Sequence, residues 1–176
     1  FKHFRNDFSE PHSLSGDSVF AIFRDSEERL WIGTSEGGLN LLDSDTGHFT
    51  HFKKDDRAAS LNNNRIISIT EGIKGNLWLA TDGGGLNKLD PKTGQFEHFT
   101  LDDSNQYSVS ADSIFKLYKD RQGIIWIGTN GGGVSIYDAK KQRFGLIQKA
   151  PDHPHSLSHN SVLAILGDSR GTLWIG

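Results

Sequence analysis

The side chains of this chain best suited to chemistry crowd into one run, Asp152-His153-Pro154-His155-Ser156-Leu157-Ser158-His159. Imidazoles at this density suggest zinc, which needs three or four ligands converging at about 2 Å. A carboxylate beside an imidazole suggests proton transfer, with Asp152 supporting His155 or His159. Neither reading is specific. His155 has a counterpart in Pro11-His12-Ser13-Leu14, so part of the cluster is a repeated feature, and only proximity in sequence joins an acid to a base here. His3, His51 and His98 also share one repeat position. That puts them in separate structural units, solvated or half-packed and too far apart to share a metal. The Gly-rich run Asp82-Gly83-Gly84-Gly85 invites a phosphate loop but lacks the lysine and the strand-to-helix context such loops need. The residues therefore assign no catalytic group, metal or cofactor.

The elements that must position any site repeat. Trp31, Trp78, Trp126 and Trp174 stand 47, 48 and 48 residues apart, in the phrases RLWIGTSEGGL, NLWLATDGGGL, IIWIGTNGGGV and TLWIG. Phe4, Phe52 and Phe99, with Ile147 next, keep the same beat. So do Ser13-Leu14, Ser60-Leu61, Ser108-Val109 and Ser156-Leu157. A fixed period near 48 means one unit used several times. Each unit reads as four strands, and no segment has a helical period of apolar residues. First strands are expected at Ser18–Arg24, Arg65–Thr70, Ser113–Lys119 and Ser161–Leu166. The turn after them is Asp-x-x-Gly in Asp120–Gly123 and Asp168–Gly171, where Asp caps and Gly takes positive φ. Glu28 replaces that glycine in the first unit, and Gly72 replaces the aspartate in the second.

Short four-stranded antiparallel sheets, apolar on both faces, must be sandwiched between copies of themselves. Radial stacking of such sheets gives an all-β fold, the β-propeller, with blades of about 40 to 50 residues. The expected division of 1–176 is an outer strand of a preceding blade at 1–4, blades at 17–53, 64–100 and 112–148, and the first half of a further blade at 160–176. Propellers close with about four to eight blades, so this partial ring reads as a piece of a longer polypeptide. Its open ends are expected to meet remaining blades or to self-associate. Recurrence of the tryptophans favours inter-blade packing over a sugar-stacking platform.

Nineteen Lys and Arg against 22 Asp and Glu give a formal charge of -3, which argues against a nucleic-acid or anionic-membrane surface. No apolar run approaches the length of a membrane span. The absence of cysteine excludes disulfides and thiolate metal sites.

The phrase Asp-x-x-Gly-x-(Leu/Ile)-Trp-Ile-Gly-Thr-x-x-Gly-Gly-(Leu/Val), as in Asp120 to Val134, resembles the two-component regulator propeller repeat. The resemblance extends over essentially the whole chain, with Glu28, Gly72 and Ala80 as scattered departures. It implies the extracytoplasmic, periplasmic sensor region of a bacterial hybrid histidine kinase, binding a small ligand such as an oligosaccharide and coupled to downstream signalling domains outside this sequence. The streptogramin lyases carry a similar Gly-x-Leu-Trp-Phe-Thr phrase, so a propeller lyase is one alternative and a non-catalytic interaction scaffold another.

In a propeller the innermost strand comes first, so the loops entering it and those joining strands two and three should share one rim. Here these are Lys53–Asn64, Thr100–Ala111 and Ala150–His159, with short loops holding Glu36, Asp82 and Asn130. Residues that vary between units on that rim are the candidate ligand-binding set: Glu36, Asp82, Tyr107, Asn130 and His155. Aromatic faces beside amides and carboxylates suit a sugar.

Overall fold

Fourteen strands and no helix make up the computed structural model, which describes residues 1–176. Val19–Arg24 (β1), Leu30–Thr34 (β2), Leu39–Leu42 (β3) and Phe49–Phe52 (β4) form the first sheet. Ile66–Glu71 (β5), Leu77–Thr81 (β6), Leu86–Asp90 (β7) and Gln95–Phe99 (β8) form the second. Ile114–Lys119 (β9), Ile125–Thr129 (β10), Val134–Asp138 (β11) and Arg143–Ile147 (β12) form the third. Ile165–Gly167 (β13) and Leu173–Ile175 (β14) pair as a two-stranded fragment. Each sheet keeps chain order with antiparallel neighbours, and the ring is open.

Burial shows why the sheets stack. In β5, enclosed between the first and third sheets, Ile66, Ser68, Ile69 and Thr70 are all buried. In β1, with a sheet on one side only, Phe20 and Ile22 are exposed while Ala21 and Phe23 are half-buried. One apolar cluster joins the first two blades, with Trp31 and Leu39 from the first against Leu61, Ile66, Ile69, Leu77 and Leu79. A second joins the next pair, with Trp78 and Leu86 against Val109, Ile114, Leu117 and Ile127.

The tryptophans do not all pack alike. Trp31 is 0 % exposed and Trp78 2 %, Trp126 is half-buried, and Trp174 is 59 % exposed. Exposure follows the blade that comes next. Trp31 and Trp78 each face four strands, Trp126 faces the two-stranded fragment, and Trp174 faces none. Trp174 is exposed because an indole at this position is covered from the following blade, and residues 1–176 include none after it.

Close approach between blades also explains a glycine. A Cβ on Gly33 would lie 2.6 Å from Ile66 Cγ2, and one on Gly128 would lie 2.9 Å from Val162 Cγ1, so the next blade's first strand occupies that space. The first strand of each four-stranded sheet carries a register shift at the same place, between Val19 and Ala21, between Ile66 and Ser68, and opposite Gly128 and Thr129. A bulge recurring in three blades is a built feature that bends the inner strand. Nothing in the sequence reading anticipated it.

The Asp turns have a second role. Asp25 Oδ2 accepts from the indole of Trp31 at 2.8 Å, Asp120 Oδ2 from Trp126 at 2.9 Å, and Asp168 Oδ2 from Trp174 at 3.3 Å. Gly72 cannot do this for Trp78. Asn76 Oδ1 and Trp78 Nε1 crowd the site where a side chain would start, at 2.3 and 2.5 Å. Glu28, in the glycine position of the first turn, adopts φ 65°, the left-handed region disfavoured for side chains with a Cβ.

Two boundaries differ from expectation. The last inner strand begins only at Ile165, because the amides of Leu163 and Ala164 both donate to the carbonyl of Gly176, at 2.8 and 2.9 Å. Residues 1–4, expected as an outer strand, form none. An outer strand is held by the third strand of its own blade, as Phe49–Phe52 is held by Leu39–Leu42, and residues 1–176 contain no such partner for them. Phe4 instead meets the ring of Phe49 edge-on, with centroids 5.3 Å apart.

Candidate functional site

The short loops after β2, β6 and β10 are built alike. Thr81 and Thr129 hydroxyls donate to the carbonyls of Gly85 and Gly133 at 2.8 Å, and Thr34 does the same to Gly38 at 3.1 Å. These threonines fix the loops whose next residue varies: Ser35, Asp82 and Asn130. The backbone at that residue is tied to the entrance of its own first strand, with Ser35 N donating to Ser18 O (2.8 Å), Asp82 N to Arg65 O (3.3 Å) and Asn130 N to Ser113 O (2.9 Å).

The side chains reach the next blade. Ser113 Oγ donates to Asp82 Oδ1 at 2.5 Å, and Ser161 Oγ lies 3.2 Å from Asn130 Oδ1. Arg65 Nε sits 3.4 Å from Asp82 Oδ2, and its guanidinium lies 5.5 Å from the ring centre of Phe20. Carboxylate, guanidinium, amide, hydroxyl and an aromatic face thus run along one rim. Glu36 stands one residue further along its loop, level with Gly83 and Gly131, and is exposed without an ion-pair partner. Such a row can accept and donate hydrogen bonds to a polar ligand.

Tyr107 and His155 are not on this rim. The Tyr107 carbonyl accepts from the amide of Phe144 at 3.4 Å, and the Arg143 guanidinium lies 5.4 Å from the Tyr107 ring. Arg143 pairs with Asp138 at one end of the β11–β12 hairpin, whereas the rim is at the other, where Val134 pairs with Ile147. The long loops therefore run down the outer flank of their blades before entering the inner strand. Phe49 N to His12 O (2.8 Å) and Phe96 N to Ala59 O (3.0 Å) repeat the arrangement. His155 occupies the same repeat position, exposed, with no outer strand beside it.

His51 and His98 pin these loops. Each Nε2 lies 2.7 Å from a carbonyl, of Ser13 and Ser60 respectively, so each Nε2 carries the proton. His3, at the equivalent position, is exposed. In the His-rich run, His159 Nδ1 accepts from the amide of Ser161 at 3.0 Å, and no hydrogen bond or ion pair joins Asp152 to a histidine. The sequence reading missed Arg65, Ser113 and Ser161 as rim residues. Their signal was available: with Ser18 they share one repeat position, at the start of each expected first strand, three serines and an arginine.

The comparisons agree with this architecture. The model of the two-component regulator propeller matches residues 13–36, 60–83, 108–131 and 156–176. Among solved structures, the extracellular domain of a putative one component system from B. thetaiotaomicron superposes with a TM-score of 0.75 at 22 % identity, over 96 % of this chain and 21 % of that one. The extracellular domain of a putative hybrid two component system from B. thetaiotaomicron gives 0.70 at 26 %, over 90 % and 22 %. Virginiamycin B lyase from Staphylococcus aureus gives 0.63 at 14 %, over 90 % and 48 %. The chain spans about a fifth of the length of the first two. No curated protein matches it. The four matched segments cover more than half of the sequence, each running from the loop before a first strand to the end of the tryptophan strand, and the chain belongs to the two-component regulator propeller family.

Proposed function

We propose that this chain is part of a non-catalytic, periplasmic sensor propeller of a two-component signalling protein, and that the rim formed by Glu36, Asp82 and Asn130 contacts a small polar ligand such as an oligosaccharide. The observation that carries the reading is local. The loop scaffold of threonine and glycines stays constant from blade to blade, while the residue it displays changes from Ser35 to Asp82 to Asn130. Family membership and the likeness to extracellular domains of bacterial signalling systems support the setting. Ligand would act by population shift, favouring one arrangement of the propeller against its neighbouring domain. Downstream signalling domains would read that arrangement.

Calorimetry against a glycan panel tests the rim. Asp82→Ala should weaken a bound glycan about tenfold, equivalent to about 1.4 kcal/mol, while Tyr107→Ala should leave it unchanged. Equal affinity in wild type and Asp82→Ala would show that the rim is not the contact. Turnover of a panel member would replace the sensor with the lyase alternative.

The open faces concern partners. Phe20 and Ile22 are exposed at one end of the stack, Leu166 and Trp174 at the other. The internal junctions show what such faces accept, namely the inner strands of another blade of this kind. Further blades, or a second copy of the chain, would cover them. Sedimentation of the 176-residue chain is expected to show association that grows with concentration. A monodisperse monomer at all concentrations would contradict it.

A further inference from the structure

On the face opposite the rim, the turns between first and second strands lie side by side, and neighbouring turns are tied together at two junctions. Ser26 donates to Glu71 through its hydroxyl (2.6 Å) and its amide (3.1 Å), closing the first junction. Arg121 Nη2 donates to the Ser169 carbonyl at 3.1 Å, closing the third. Between the second and third blades no hydrogen bond joins the turns. There Gly72 has replaced the capping aspartate, Lys74 and Gly75 both turn through φ 76°, and Gly123 presents no side chain to Ile73. A groove of about 400 Å³ opens at this junction, within the usual size of small-molecule sites.

Its walls differ chemically from the rim. Ile73, Ile125, Tyr137 and the edge of Trp78 supply an apolar slot, with the Trp78 and Tyr137 ring centres 4.7 Å apart. Lys74 from one blade and Lys140 from the next stand at its sides, both exposed and neither in an ion pair. Lys88 also lines it but is already paired to Glu97 at 2.8 Å. Asn76 also lines the groove, with its Oδ1 turned inward, buried beside Gly72 and the Trp78 indole and without a donor. Burial holds the Tyr137 phenol above its ordinary pKa.

We propose that this inter-blade groove binds a small hydroxylated aromatic carboxylate. The aliphatic and aromatic walls desolvate a flat ring, where a polyhydroxylated sugar would leave hydroxyls unpaired against Ile73 and Ile125. The two uncommitted ammonium groups, one from each wall, attract a carboxylate. The phenol of Tyr137, a donor and an acceptor in the same wall, suits a ligand hydroxyl. The site is separate from the rim and does not rest on its assignment.

The test is calorimetry of the 176-residue chain with 4-hydroxybenzoate, its neutral analogue 4-hydroxybenzamide, and glucuronate. Saturable binding of 4-hydroxybenzoate is expected, at least about tenfold weaker for the benzamide. The double variant Lys74→Glu, Lys140→Glu should lose about tenfold or more, while Asp82→Ala should bind as wild type does. Both lysines are exposed, so an unchanged thermal melt will show that the variant is folded. Absence of saturable heat with 4-hydroxybenzoate overturns the proposal, as does unchanged affinity in the folded double variant. Tighter binding of glucuronate with the same lysine dependence would overturn the aromatic class.

Discussion

Trp78→Ala is expected to destabilise the chain by about 3 to 5 kcal/mol, while Trp174→Ala should cost less than about 1 kcal/mol. Trp78 is 2 % exposed and stacks on Phe99 with ring centres 5.3 Å apart, against Tyr137 of the next blade at 4.7 Å. Its removal takes the largest buried ring out of the contact between two four-stranded sheets, whose backbones hold the neighbouring side chains apart. Trp174 holds the equivalent repeat position but has no blade in front of it, so truncation empties no enclosed space. Trp126, half-buried, should fall between. Denaturant midpoints of the three variants at constant slope will check the order. Equal losses at positions 78 and 174 would contradict the view that the following blade, not the repeat phrase, decides what the indole contributes.

Asp25→Ala should be the most damaging change to a polar residue, at about 3 kcal/mol. Its side chain is enclosed and accepts from the amides of Glu27 (3.0 Å) and Arg29 (2.9 Å), from Arg29 Nε (2.7 Å) and from the Trp31 indole (2.8 Å). The alanine variant strands an indole N–H and a half-buried guanidinium. Burial alone would push this carboxyl up, but the hydrogen bonds from Trp31 and Arg29 outweigh it and hold the pKa below the ordinary aspartate value. The sign follows from that depression. The stabilisation is fully present above the unfolded-state pKa of about 3.9 and fades as pH falls through the folded value. The difference in stability between wild type and Asp25→Ala should therefore be constant near neutrality and shrink below about pH 4. Chemical denaturation at a series of pH values measures it. A difference that persists unchanged into strong acid would mean the residue acts by packing alone. Asp168→Ala is the natural control, because the same turn there caps an exposed Trp174 at 3.3 Å and should matter far less.

The sequence by itself determined the unit and its fold. A phrase recurring every 47 or 48 residues, with apolar residues on both faces of short strands, has few solutions other than stacked four-stranded sheets. Turn chemistry was legible for the same reason. Aspartate caps and positive-φ glycines answer to local geometry, which a few consecutive residues contain. What the tertiary structure decided depends on which blade lies next to which. Four tryptophans in closely similar local sequence range from fully buried to mostly exposed because their cover comes from residues of the following blade, far away in sequence. Asp82 and Asn130 reached the rim because their loops are short and tied at both ends, leaving them one place to go. Tyr107 and His155 were misplaced because a loop of ten residues or more has a path as well as endpoints. That path is set by backbone hydrogen bonding to the outer strand, as at Phe144, which no local pattern records. The groove between the second and third blades was equally invisible, since it exists through the failure of two distant turns to meet.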